Sequence, residues 1–244
     1  MKLLAIDSSG LVASVALLVD DVLVGEYTIH NKKTHSQTLL PMIADMLAMA
    51  EIDKDQLTAI AVAAGPGSFT GLRIGASTAK GLAQALEIPI VPVSTLEGLA
   101  YNLQGTDCPV CPIMDARRSQ AYYGIFDVSG EMPAALSEEA AEPIEEVIEK
   151  VRALGKPTFF LGDGVPVFRD RIIEALGEYR PDSEPAADTG LARFAGDAVR
   201  YQRASSLAAL GSIYLKDDRQ VAAREFVPRY LRMSQAERER KARG

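Results

Sequence analysis

Gly65-Pro66-Gly67-Ser68-Phe69-Thr70-Gly71-Leu72-Arg73-Ile74-Gly75 is the stretch around which this chain is organised, and Ala76 to Leu86 continue it. The short apolar run Ala59 to Ala64 before it reads as a buried strand. The Gly-Pro-Gly step then turns the chain tightly, because glycine tolerates positive φ and proline fixes its own. Ser68 or Thr70 is placed to cap the helix that follows. Gly71, Gly75, Ala79 and Ala83 recur every fourth residue, so these small side chains share one helical face. Glycine inside a helix costs about 1 kcal/mol relative to alanine. Two glycines there call for a close approach by another backbone. That backbone belongs either to the chain's own sheet or to a helix of a partner chain.

Before this stretch, Leu3 to Asp7, Val12 to Val19 and Val22 to Ile29 read as three strands, with Asp20-Asp21 as a two-residue turn. Ser36 to Ala50 reads as a helix. One stripe on it is Leu40, Ile43, Leu47 and Ala50, and a second is Leu39, Met42, Met46 and Met49. Together they are wider than the ~100° face that a single core needs. The excess is rich in methionine, which suits adaptable contact surfaces, so a partner surface is favoured over deeper burial. After the organising helix, Ile88 to Val93 is a strand and Ser94 to Leu103 a short helix.

Past Gly105-Thr106-Asp107 the order of elements restarts. Val110 to Asp115, Ala121 to Val128 and Met132 to Leu136 read as strands. Pro143 to Leu154 is a helix, Thr158 to Leu161 a strand and Val167 to Leu176 a helix. The fold expected is therefore α/β, two lobes each built on a βββαβα order. The divisions expected are 1–105, 106–227 and an extended tail, 228–244. The stretch 180–189 reads as a loop, and Gly190 to Arg203 and Ser205 to Leu215 as helices. The last residues, with Arg238, Arg240, Lys241 and Arg243 against Glu237 and Glu239, read as a solvated end.

The 244 residues are 48% hydrophobic, enough for real cores. No run of about 18 apolar residues occurs, so no membrane-spanning helix is expected. Asp7 follows Met1-Lys2 too closely for a secretory leader, and two cysteines fit a reducing cytosol. A cytoplasmic protein is expected. The formal charge of −7 disfavours a protein that grips nucleic acid unaided.

Three glycine turns stand at strand ends: Asp7-Ser8-Ser9-Gly10, Gly65 to Gly71, and Gly162-Asp163-Gly164. Each can offer backbone N–H groups to an anion. None is a Walker A loop, which ends in Gly-Lys-Ser/Thr. Asp7, Ser8, Ser9, Asp115, Gly162 and Gly164 are the candidates for a remnant nucleotide cleft between lobes. Cys108 and Cys111 have CxxC spacing, but zinc needs about four ligands and the only histidines are His30 and His35. Both cysteines read as structural.

The string GPGSFTGLRIG with Ala79-Lys80-Gly81-Leu82-Ala83 resembles the TsaB (YeaZ) family of tRNA threonylcarbamoyladenosine biosynthesis proteins. Ile6-Asp7-Ser8-Ser9, Ser14 to Leu17, His35-Ser36 with Leu39-Leu40-Pro41, Asp115-Ala116-Arg117-Arg118 with Tyr122-Tyr123, and Pro228-Arg229-Tyr230-Leu231-Arg232 fit the same family. The resemblance spans residues 1 to about 232. Ser8 stands where the family often has threonine.

The resemblance implies an ASKHA fold (the actin, Hsp70 and sugar-kinase architecture) and a Gcp-like domain related to TsaD. TsaD-like proteins carry a metal-binding HxxxH motif after the strand that follows the glycine loop. Here Thr95 and Leu99 stand in its two positions. Leucine has no ligating atom, so no metal or other cofactor is expected. The role implied is a non-catalytic scaffold that works with TsaD and the ATPase TsaE. Together they transfer threonylcarbamoyl from threonylcarbamoyl-AMP to N6 of the adenosine next to the tRNA anticodon, and tRNA is met only indirectly. The family's first-lobe helices serve a homodimer or the TsaD heterodimer. Carried over, that surface is Leu39, Met42, Met46, Phe69, Gly71, Leu72, Gly75, Ala79 and Ala83. The alternative is an independent ASKHA-type enzyme, a small phosphotransferase or an M22-like peptidase.

Overall fold

A computed structural model of the chain describes residues 1–31, 34–180 and 190–232. Residues 181–189 of the loop expected at 180–189, and the charged end from Glu237, lie outside the described residues. The first sheet contains β1 (Lys2–Asp7), β2 (Ala13–Val19), β3 (Val22–Ile29), β4 (Ala59–Ala63) and β5 (Ile90–Val93). Their order is β3-β2-β1-β4-β5, with the first three antiparallel and β1, β4 and β5 parallel. Asp20 and Asp21 both take positive φ, as a two-residue turn matched to strand twist requires.

The second sheet repeats this order. Along its main path run β6 (Val110–Asp115), β7 (Gln120–Tyr123), β10 (Ala140–Pro143), β11 (Thr158–Leu161) and β12 (Ala192–Phe194), arranged β10-β7-β6-β11-β12, with two further short strands off that path. The chain thus has an α/β, two-lobed architecture in which one strand order occurs twice within one polypeptide, as expected. Three local expectations change. Ala121 to Val128 is not one strand, because Gly124 lies under the ring of Phe126 and the chain bends there into β8 (Phe126–Asp127). The third-strand position beside β7 belongs to β10, while Ala134–Ala135 (β9) pairs only with β8. Gly190 to Arg203 is not a helix: residues 192–194 form β12 in parallel register with β11, and only α6 (Asp197–Arg200) is helical.

Each side of the two sheets is covered. In β1, Leu4 and Ile6 face α1 (His35–Met49) and α2 (Phe69–Leu86), and Leu3 and Ala5 face the opposite side, as strand alternation dictates. That opposite side is covered by Leu207, Ala208, Leu210 and Tyr214 of α7 (Ala204–Lys216). The second sheet packs against α4 (Ile144–Leu154) and α5 (Val165–Leu176) on one side. Leu96, Leu99 and Ala100 of α3 (Thr95–Tyr101) cover the other. Residues 204–216, expected in the C-terminal lobe, therefore pack on the first sheet, and α3 packs on the second.

Candidate functional site: an interlobe cleft and a helical groove

Gly10 and Leu11, in the turn after β1, and Asp115, at the end of β6, line a cavity of about 590 Å³ between the lobes. Gly67, Ser68 and Phe69 line one wall, Asp115 to Arg118 and Asp163 a second, and Arg229 to Arg232 a third. Of the six cleft candidates, Asp115 alone lines it. Asp7, Ser8 and Ser9 are buried behind the wall. The reason is local bonding. Asp7 Oδ1 accepts from the Ser9 N–H (2.8 Å) and Ser9 Oγ–H (2.6 Å), and Ser8 Oγ donates to the Gly71 carbonyl (2.9 Å). Ser68 N–H donates to the Ser9 carbonyl at 2.7 Å, so amides available to an anion in an open loop are engaged within the chain.

The glycine ladder has the same explanation. A Cβ on Gly71 would collide with the Ser8 carbonyl oxygen, and one on Gly75 would stand 2.6 Å from Ser8 Oγ. The close backbone approach is by the end of β1, not by a partner helix. Leu39, Met42, Met46, Ala79 and Ala83 are likewise buried in their own chain's first core, and Leu72 is buried as well. A substitution such as Gly75→Leu therefore tests folding rather than pairing. Gly162 and Gly164 are seated against Ile113 of β6 in the same manner, so each lobe lays its glycine loop on the end of its first strand.

Two carboxyls at the ends of the cleft strands are pushed upward in pKa. Burial pushes Asp7 up to about 6, against hydrogen bonds from Ser9 and the field of His35, and its Oδ2 has no hydrogen-bond partner among the described residues. Burial also pushes Asp163 up to about 6, opposed by the Asp115 N–H donating to its Oδ1 at 3.2 Å and reinforced by the Asp115 charge. Asp115 itself pairs with Arg117 at 3.1 Å. Asp163 had a sequence signal, as the middle residue of the Gly162-Asp163-Gly164 turn. Arg229 and Arg232 had only their place in a terminal motif.

Thr95 and Leu99 are both fully buried on α3, with Leu99 inside the core between the lobes. Among the described residues, no three His, Cys, Asp or Glu side chains stand together as metal ligands. Cys111 is buried in the second core, and burial raises its thiol strongly. Cys108 Sγ accepts from Arg193 at 3.2 Å, and no disulfide joins the two.

On the outside of the first lobe, α1 and α2 leave a groove of about 510 Å³. Leu40, Phe69 and Ile74 line it over a floor of Leu39, with Arg73 and Thr70 at its edge. Leu40 is 54% exposed. Phe69, the one carried-over interface residue that is neither small nor fully buried, holds the Arg73 guanidinium 4.0 Å from its ring centroid.

A family model described as "TsaD: tRNA N6-adenosine threonylcarbamoyltransferase" matches residues 23–240. A Bacillus subtilis protein named "tRNA threonylcarbamoyladenosine biosynthesis protein TsaB" is 34% identical over 97% of this chain and 96% of its own. The chain belongs to the TsaB family. The Escherichia coli TsaB is 32% identical over 70% of the chain and 74% of its own length. Among solved structures, YeaZ from Pseudomonas aeruginosa superposes with a TM-score of 0.75 at 30% identity, covering 94% of this chain and 99% of that one. A second Pseudomonas aeruginosa structure, described as similar to peptidase YeaZ, gives 0.78 at 30% identity over 95% and 99%. The TsaB family likeness therefore covers both lobes, not the glycine stretch alone.

Proposed function

We propose that this chain is the non-catalytic subunit of a threonylcarbamoyl transferase acting on tRNA. It holds a catalytic TsaD-type paralogue in working form, with TsaE as the accompanying ATPase, and it meets tRNA only through them. The observation that carries the reading is the α1/α2 groove. It is an apolar trough on an exposed face, beside candidate cleft residues that are turned inward onto one another. Leu99 supports it too, because a buried leucine fills a position where a TsaD-like site needs a metal ligand. The occupant of the groove is a helical face of TsaD or, without it, of a second copy of this chain. The working compartment is the cytoplasm, where tRNA is.

Light scattering on a sizing column, with the chain alone and mixed with TsaD from the same source, tests this. Leu40→Glu with Ser77→Glu places two charges in the groove at exposed positions outside the core. The expected result is a complex with the unaltered chain and none with the variant, both being equally helical. Equal pairing by the variant would sink the groove assignment.

The Asp115–Asp163 pair in the cleft favours one second reading, a small phosphotransferase. ATP turnover by the isolated chain, abolished by Asp115→Ala, would establish it. Absence of any complex with TsaD, TsaE and nucleotide present would make that assay the next step.

A further inference from the structure

The segment that follows α7 returns across the cleft and touches both lobes. Phe226 is buried in the first core, and Lys80 Nζ donates to its carbonyl at 2.9 Å. Arg229 N–H donates to the Ala64 carbonyl at 2.7 Å, immediately before the glycine stretch. Gly65 takes φ +104°, and a Cβ there would collide with the Arg229 carbonyl oxygen. The first glycine of the organising stretch is thus a seat for this segment. Tyr230 then lies against Phe69, with ring centroids 4.6 Å apart. From there the contacts pass to the second lobe. The Arg229 guanidinium pairs with Glu139, whose other carboxylate oxygen accepts from Ser94 Oγ of the first lobe. Arg232 donates to the carbonyls of Ala116 and Arg117, in the turn between β6 and β7. That turn holds Arg117, Arg118 and Ser119 all at positive φ, a conformation that non-glycine residues keep only when neighbours enforce it.

We propose that residues 226–232 are a brace. It is anchored in the first lobe, ion-paired and hydrogen-bonded to the second, and it fixes the opening between them while forming one wall of the cavity. The glycine stretch is its seat on one side and the strained Arg117–Ser119 turn its catch on the other. Release of the brace then widens the cavity, and Tyr230 on Phe69 ties that release to the edge of the α1/α2 groove. The brace stands on contacts within this chain and does not depend on what fills the groove.

Arg229→Ala with Arg232→Ala removes both links to the second lobe while leaving Phe226 and the first-lobe core intact. Size-exclusion-coupled X-ray scattering and amide hydrogen exchange read the result. The expected outcome is a larger radius of gyration and faster exchange at 116–120, with far-ultraviolet dichroism unchanged. Glu139→Gln weakens the same link from the second lobe and is expected to shift exchange in the same direction. Val227→Ser, on the exposed side of the same segment, is expected to change neither readout. If the double variant loses its dichroism, Glu139→Gln alone decides. Native scattering and native exchange in the folded variants overturn the proposal.

Discussion

Asp7 ends β1 with a carboxyl that the fold strips of water, so its acidity is set by burial more than by charge. The folded chain holds its proton to about pH 6, whereas the unfolded chain releases it near 3.8. Between those values the folded state binds more protons, so stability falls as pH rises through the window and the cost stays constant above it. A shift of about two units corresponds to about 3 kcal/mol. Asp163 adds a contribution of the same sign. Asp7→Asn keeps an oxygen for the two Ser9 bonds and cannot ionise. Urea midpoints taken from pH 4 to 7 are expected to fall less for Asp7→Asn than for the unaltered chain. Equal falls would show that Asp7 does not retain its proton. The sequence made Asp7 legible as the end of a strand before a Ser-Gly turn. It did not show the carboxyl folding back onto Ser9, because a polar turn residue can face a cleft or its own backbone with the same neighbours in sequence.

Helix α2 shows the same divide for a whole element. Its end at Leu86 and its small-residue face were legible, and the cap was narrowed to Ser68 or Thr70; Ser68 fills it, its Oγ accepting from the Gly71 N–H at 3.3 Å. What that face meets was not, since a ladder of small residues fits a partner helix and a strand end equally well. The structure gives two glycines of one helix opposite roles. Gly71 lies against the Ser8 carbonyl, and Gly81 is exposed with nothing near the place of its missing Cβ. Gly71→Ala is expected to lower stability by about 2 kcal/mol or more, because backbone must move to admit the methyl. Gly81→Ala is expected to raise it by about 1 kcal/mol through helix propensity alone. Chemical denaturation of the two variants measures both, and the same sign for both would refute the assignment of faces. Strand β12 is the converse case. Residues 190–203 had helical composition, yet Ala192 to Phe194 are held extended by Thr158 to Phe160 alongside. Arg193 stacks on Phe159 and Tyr179, an arrangement that exists only once the sheet has formed.

Across the whole molecule the two lobes share a repeated strand order but not a division of the chain at the linker. The order was legible because each half spaces its strands and helices alike. The division was not, because α7 comes after the second lobe in sequence and packs on the first. Residues 1–105 alone would leave Leu3, Ala5, Ala61, Val91 and Val93 facing water in place of Leu207, Leu210 and Tyr214. Each large side chain kept from water contributes about 1.5–3 kcal/mol, so losing three removes much of the ~5–15 kcal/mol that holds a domain folded. A piece comprising residues 1–105 is therefore expected to melt without a cooperative transition. The remedy follows from Asn102, whose Nδ2 donates to the carbonyls of Val199 (2.9 Å) and Tyr201 (2.8 Å), bringing the two chain ends together. Joining 1–105 to 202–232 through a short Gly-Ser linker restores α7 to the sheet and Phe226 to the first core. Thermal dichroism is expected to show a cooperative melt for the joined piece and none for 1–105. A sharp melt of 1–105 by itself would mean that the first sheet folds without α7, and that the chain divides at the linker after all.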